Sequence, residues 1–478
     1  MYTKLPAFVS AGFLGWVALA GCDLDVPNLN NPGLDQLQDN PTAALVNSAA
    51  DGLQVGIRGG KAATTGLVNQ LGILGRESYD FDSADSRFVT EEISGPENRS
   101  DAFGGVFWAA NFANIQLGFA IVHALDKVAD LSDSDKAGIR GYVHTLQAYD
   151  FLIVIETHRE TGAPIDVDRP LGSALAPFVT EAEVYVEINR LLDLGQTELA
   201  ASDAFTFDLN SGFNDLAQPM ESVTPADFIL FNRALRARVA AYTADYPAAL
   251  TALQESFLVD DPAKLDFTTG VYFPYSTAAG DVTNALINKA IYAHPALLTD
   301  VQMQPQNPAT PMVPPGPDAR FQAKLTVLKD TVGFPTDASL KTTLKFAMYT
   351  NVTSVPLIRN EELILLKAEA LWFTGDKAGA LAELNIVRTL SGKLAPIATV
   401  PADDTAFEDA LLFERRYSLL FEGGHRWLDL LRFNRPLPLD DPQKHVQNVR
   451  YPVPQAECDA RPGEPACVLT SIVPAAGG

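Results

Sequence analysis

Two segments of this chain repeat one pattern, and that repeat restricts the possible folds more than any other feature. Ala237-Arg238-Val239-Ala240-Ala241-Tyr242-Thr243-Ala244-Asp245 is matched by Ala368-Glu369-Ala370-Leu371-Trp372-Phe373-Thr374-Gly375-Asp376. The match continues through Ala249-Leu250 and Leu253 in the first copy and Ala380-Leu381 and Leu384 in the second. The spacing is that of two helices joined by a tight turn. Small Ala side chains allow the helices to approach, an aromatic fills the joint, a small residue permits the turn, and Asp caps the second helix. One such hairpin cannot bury its apolar face alone, so a stack of hairpins is implied.

This is the tetratricopeptide pattern, and the rest of the chain agrees with a helical body. Apolar residues at helical spacing run over Thr42 to about Arg58 and over Phe107 to Val128. A long helix is predicted over Asp133 to Glu160, with Ser132 or Asp133 as N-cap. Thr180-Glu181-Ala182-Glu183 opens another that reaches about Ala201. The expected fold class is therefore all-α, built of tetratricopeptide-like hairpins. Between the two repeat copies, about 257–360, the pattern breaks. Tyr272-Phe273-Pro274-Tyr275 and a Pro-rich stretch from Gln304 to Pro317 predict a loop-rich insertion with short elements. A long insertion of this kind in a helical scaffold is usually functional or disordered.

The N-terminus is a secretion signal by its own chemistry. Lys4 is the one charge before an apolar run from about Leu5 to Ala20, which ends in Leu19-Ala20-Gly21-Cys22. That run is short for a spanning helix. Its last four residues resemble the lipobox, in which the Cys thiol takes a diacylglycerol before the signal is removed. The expected organisation is a signal over 1–21, a tether over 22–40 lipidated at Cys22, and a single domain over 41–478. Acyl chains on Cys22 would anchor the body to a membrane at about 0.8 kcal/mol per buried CH₂.

The formal charge of −24 disfavours nucleic acid, whose phosphates would be repelled. Cys458 and Cys467 lie close together in a Pro-rich tail of a chain that leaves the cytoplasm, and they are expected to pair as a disulfide. A metal site is the weaker reading, since no His cluster accompanies them.

Enzyme signatures are absent. None of His123, His144, His158, His294, His425 and His445 forms a His-Glu-x-x-His motif, and there is no Gly-x-Ser-x-Gly elbow. Gly59-Gly60-Lys61 is no P-loop, because Val55 and Ala62 stand where Gly and Ser or Thr are required. A carboxylate pair for glycoside hydrolysis is not legible among 59 acidic residues. No cofactor is expected.

The densest constellation runs from Phe413-Glu414-Arg415-Arg416-Tyr417 to Leu420-Phe421-Glu422-Gly423-Gly424-His425-Arg426-Trp427-Leu428-Asp429-Leu430-Leu431-Arg432. Glu422 and Arg426, and Asp429 and Arg432, are spaced to meet on a helix face. With Arg388 and Glu369 as further partners, the reading is a buried ion-pair network that includes Glu414, Arg415 and Trp427, and not an active site.

These residues also carry a family resemblance. Arg359-Asn360-Glu361-Glu362-Leu363-Ile364-Leu365-Leu366-Lys367-Ala368-Glu369-Ala370, Leu384-Asn385-Ile386-Val387-Arg388, Glu414-Arg415-Arg416 and Phe421 to Leu430 resemble the SusD/RagB family of outer-membrane nutrient-binding lipoproteins. Gly141 to Pro164 is similar to the family's earlier helix, and the lipobox agrees. His425 departs from the expected pattern. The resemblance implies a lipid-anchored, surface-exposed protein of the outer membrane, although Asp23 after the lipidated Cys would in some bacteria favour the inner membrane. It implies a SusC-type TonB-dependent transporter as partner and an oligomeric nutrient as ligand, most often a glycan. The alternatives are a peptide binder of the RagB type and a surface glycosidase.

Ligand is expected on loops. Arg76 to Arg87 sets Tyr79 and Phe81 among Asp80, Asp82 and Asp85, and Tyr272 to Tyr275 borders the insertion. Tyr79, Phe81, Arg87, Tyr272 and Tyr275 are the expected contacts, since aromatics among polar residues offer faces to sugars.

Overall fold

The structure, a computed structural model, describes residues 34–472 apart from 102, 171, 218–221, 310, 311 and 313. The signal and Cys22 lie outside the described residues.

The body is assembled from antiparallel helices. α1 (Ala43–Arg58), α2 (Ala109–Leu125), α3 (Asp133–His158) and α4 (Glu181–Leu199) pack in sequence. α3 is the centre of the molecule. From Gly138 to His158 all but one position are buried, as expected of a helix covered on every side. Its start is fixed by a capping box: Ser132 accepts from the Asp135 amide at 3.1 Å, and Asp135 accepts from the Ser132 amide at 2.9 Å. Thr180 and Glu183 do the same for α4. A Cβ at Gly141 would stand 2.7 Å from the Gly195 carbonyl oxygen. The close packing of α3 on α4 therefore depends on glycine there.

The two repeat copies form the hairpins α5 (Pro225–Tyr242) with α6 (Tyr246–Gln254) and α7 (Asn360–Phe373) with α8 (Lys377–Ile386). Their turns use the residues that the pattern singles out. Ala244 and Gly375 adopt φ of 58° and 100°. Asp245 accepts from the Ala248 amide and Asp376 from the Gly379 amide. The hairpins stack through Tyr246 on Phe373, 4.8 Å between centroids. α9 (Asp404–Ser418) and α10 (His425–Arg432) complete the helical body.

The insertion is more ordered than the Pro-rich sequence suggests. Six strands are placed around it: β1 (Ser78–Asp80), β2 (Gly270–Phe273), β3 (Ile291–Ala293), β4 (Leu325–Phe334), β5 (Asp337–Phe346) and β6 (Val355–Arg359). One sheet has the order β1-β3-β5-β4, and β2 pairs with β6. The long β4–β5 hairpin follows from alternation: Leu340, Thr342 and Leu344 point inward and their neighbours outward. Part of the span 22–40, expected to be a tether, is structured. Residues 34–39 are helical, with Leu37 fully buried.

The C-terminal network is buried, with partners set by the backbone. Glu414 pairs with Arg320 at 2.7 Å and Arg388 at 2.8 Å. Arg415 pairs with Asp429 at 2.6 Å, and Arg432 bridges Asp429 and Glu369 at 2.9 and 2.5 Å. Trp427 donates its indole N–H to the Asn448 carbonyl at 2.8 Å. The pairing of Glu422 with Arg426 does not occur. Gly423 and Gly424 take φ of 153° and 82°, so no helix spans the two residues. Glu422 pairs instead with Arg359 and Lys324, both at 2.8 Å, and Arg426 donates to the Gly75 carbonyl at 3.0 Å. His425 is buried beside Glu362, 3.9 Å away, and burial pushes its imidazole down to about 4. Cys458 and Cys467 are joined by a disulfide. Among the described residues no helix is long and apolar enough to cross a membrane.

Candidate ligand-binding face

The segment that follows the short helix Leu67–Leu74 enters the four-stranded sheet as β1. Tyr79 and Phe81, two residues apart, share one face of the strand, and their rings stack at 5.1 Å between centroids. Tyr79 is covered. It is 0% exposed, and its hydroxyl donates to Asp440 Oδ1 at 2.7 Å, an acceptor shared with His294 Nε2 at 3.0 Å. The expectation that Tyr79 meets ligand is corrected by this burial: its role is to hold the base of the sheet to the C-terminal segment.

Phe81 lies at the end of β1, and its amide donates to the Ala290 carbonyl at 2.9 Å. Its half-buried ring packs 5.7 Å from Tyr292 of β3 and 5.9 Å from Phe334, the last residue of β4. Each of the three rings stays partly exposed. They form an aromatic row contributed by three strands of one sheet. Tyr292 and Phe334 are missing from the sequence expectation. The signals that could have found them are the alternation through Ile291-Tyr292-Ala293 and the Phe334-Pro335-Thr336 turn.

Polar groups border the row. Lys345 Nζ stands 4.5 Å from the Tyr292 ring centroid and donates to the carbonyls of Asn288, Lys289 and Ile291. Asp80 accepts from Asn69 at 2.9 Å and from the Asp82 amide at 3.0 Å, and burial pushes its carboxyl up to about 6. Asp82 and Ser83 are at the surface beside Phe81.

Arg87 is occupied. Two of its nitrogens donate to Asp85 at 2.9 and 2.8 Å, and its guanidinium lies 4.8 Å from the Phe103 ring. That hydrogen bonding holds the Asp85 carboxyl below its usual range. The residue pins its own loop.

Tyr272 and Tyr275 lie on and just after β2, in the other sheet, so the structure does not bring them to the aromatic row. Tyr272 is half-buried and donates to the Thr268 carbonyl. Tyr275 is 7% exposed and packs into the main core, beneath the Arg58 guanidinium at 5.8 Å. Its expected ligand contact is likewise corrected by burial. Among the described residues no group of His, Cys, Asp and Glu could hold a metal ion.

Comparison with known proteins agrees with this architecture. Residues 345–461 match the sequence profile of the SusD family. A SusD-like protein, P38 of Formosa agariphila, is 35% identical over 97 residues, a match that spans only 19% of this chain and 19% of that relative. A SusD-like carbohydrate-binding protein of Bacteroides fragilis superposes with a TM-score of 0.65 at 14% identity, covering 87% of this chain and 98% of the other. Surface glycan-binding protein A of Bacteroides thetaiotaomicron, solved in complex with laminarihexaose, superposes with a TM-score of 0.62 at 15% identity, covering 90% and 100%. At such identity these likenesses concern the fold.

Proposed function

The chain has the fold of the SusD proteins and resembles that family in sequence over its C-terminal part, and from this premise we propose that it binds an oligosaccharide and passes it to a TonB-dependent outer-membrane transporter. The observation that carries the reading is the aromatic row of Phe81, Tyr292 and Phe334. Flat apolar rings at the surface match the apolar faces of sugar rings, and the adjoining Asp82 and backbone groups can serve hydroxyls. A protein of this kind binds and releases its ligand without a chemical step. The match to a fold seen with a bound glucan hexasaccharide supports the glycan class over a peptide.

The row is tested by Phe81→Ala and Tyr292→Ala, with binding to a panel of plant, algal and host oligosaccharides followed by calorimetry. Each change is expected to weaken the best glycan by about 1–3 kcal/mol, with melting temperature little altered. Normal glycan affinity in both variants would remove the row from the site. Preference for a peptide library over every glycan would move the protein to the RagB-type reading.

The anchor belongs to the same proposal: a signal over 1–21, lipid on Cys22, and a body that already includes the helix at residues 34–39. Cys22→Ala is expected to leave a folded protein that no longer fractionates with outer membranes when the transporter is absent. Membrane retention of that variant would refute the anchor.

A further inference from the structure

Away from the aromatic row, the helical side of the molecule carries a second cleft. Its outer part is a cavity of about 640 Å³ between the first turns of α4 and the end of α5, and an inner part of about 200 Å³ reaches α3 and α10. The size is that of a small-molecule pocket. One wall follows from helical spacing. Glu181, Tyr185 and Asn189 recur every four residues along α4, so they form a stripe down one face, and all three line the outer cavity. The stripe is about 12 Å long at 1.5 Å per residue. It presents a carboxylate, a phenol ring and a carboxamide in turn.

None of these three side chains is spent on the protein itself. Glu181, Tyr185 and Asn189 form no side-chain hydrogen bond among the described residues, and the Asn189 Oδ1 is buried without a donor. A buried acceptor without a donor is costly unless something supplies one. Tyr185 is half-buried, with its ring against the core and its hydroxyl free. Tyr242, by contrast, already carries the Arg432 guanidinium 4.8 Å from its ring centroid, so Tyr185 is the ring open to a ligand. The charges are compensated. Glu160 and Glu181 are faced by Arg159 and Arg450. Glu156 is faced by Lys61 and by Arg238, which also bonds Glu362. An ion of either sign therefore gains little there. What the cleft offers is donors and acceptors side by side around an aromatic face: the Asn189 amide supplies both, Glu181 accepts, and the Arg159 guanidinium, at the inner cavity, donates. A sugar ring uses all of them at once, because its hydroxyls both donate and accept while its C–H face rests on an aromatic ring.

We propose that this cleft is a second sugar site, separate from the aromatic row, for one or two neutral pyranose units that stack on Tyr185 and bond Glu181 and Asn189 through their hydroxyls. The site stands on its own side chains and does not depend on the row.

The test is saturation-transfer NMR on the full mature chain carrying Phe81→Ala and Tyr292→Ala, which removes the row. The probes are the methyl glycosides of β-glucose, β-galactose and α-mannose, with cellobiose and maltose, and glucosamine and glucuronate serve as charged analogues. At least one neutral sugar is expected to bind in this background, and neither charged analogue is expected to bind tenfold tighter. Adding Tyr185→Ala is expected to abolish the signal. Because Tyr185 is half-buried, Asn189→Leu provides a second variant. It has no hydrogen bond to lose, so its melting temperature should stay at or above that of its parent while the sugar binds at least about fivefold more weakly. The proposal is overturned if no neutral sugar binds once the row is removed, if a charged analogue binds tenfold tighter than every neutral one, or if Asn189→Leu binds as its parent does. Sugar binding that is present in the unaltered chain and absent without the row overturns the cleft and leaves the row as the site.

Discussion

Glu414→Ala is expected to destabilise the folded chain by about 3–5 kcal/mol, enough to consume a large part of an ordinary domain's stability. Glu414 is 0% exposed and stands between Arg320 and Arg388 at 2.7 and 2.8 Å. Removing it leaves both guanidiniums short of a counter-charge, one of them 4% exposed. Asp318 still serves Arg320 at 2.6 Å, but Arg388 has no other carboxylate partner among the described residues. Arg426→Ala provides the contrast. Arg426 forms a hydrogen bond to the Gly75 carbonyl and no ion pair among the described residues, so its loss should cost only roughly 1.5–3 kcal/mol. Urea unfolding of the two variants measures the difference. A Glu414→Ala protein as stable as the parent, with selective loss of ligand, would make the network a binding site.

The second large effect is on the alkaline side of the pH profile. Burial pushes Glu97 up to about 8 and Glu77, Asp150 and Glu156 up to about 7. The folded chain therefore holds protons that the unfolded chain releases at ordinary carboxylate values. Stability from these groups is complete below about pH 4 and is lost as pH rises through about 7 to 8. Other groups act in the opposite direction. His158 and His425, pushed down to about 4 by burial, favour the fold above their unfolded value of 6.5 and lose that contribution as pH falls toward 4. Glu361 and Asp337, held near 2 by Arg359 and by hydrogen bonds from Ser339 and His445, lose theirs below about pH 4. The melting temperature should peak near pH 4–5, because above that the four carboxyls outweigh the two histidines. From there to pH 9 the loss should reach at least ~3 kcal/mol, since each tenfold change in proton affinity is worth about 1.4 kcal/mol. Glu97→Gln should flatten the alkaline limb. A melting temperature that rises from pH 6 to pH 9 would contradict this account.

The helical scaffold was legible in the sequence because its rules are local. The spacing from Ala237 to Asp245 and from Ala368 to Asp376 specifies a hairpin wherever it occurs, and the caps at Ser132 and Thr180 announce their own helices. The binding face was less legible. Tyr79 and Phe81 share a face and stack on each other, and which of them stays partly exposed depends on segments distant in the chain that cover Tyr79. Nothing near Tyr79 in the chain indicates that Asp440 will accept its hydroxyl. The same limit explains Glu422. Helical spacing pointed to Arg426, but the two glycines between them break the helix and turn Glu422 toward Arg359. Arg359 itself, which bonds both Glu361 and Glu422, becomes visible as a hub only in three dimensions.

The central claim is that this chain binds an oligosaccharide without altering it. It is tested most directly by incubating the purified mature protein with a defined set of oligosaccharides, recovering the bound fraction, and measuring chain length by mass spectrometry. The account predicts saturable binding of at least one oligosaccharide, recovered at its original length, and weakened by Phe81→Ala. Shortened products, or no oligosaccharide retained, would contradict it.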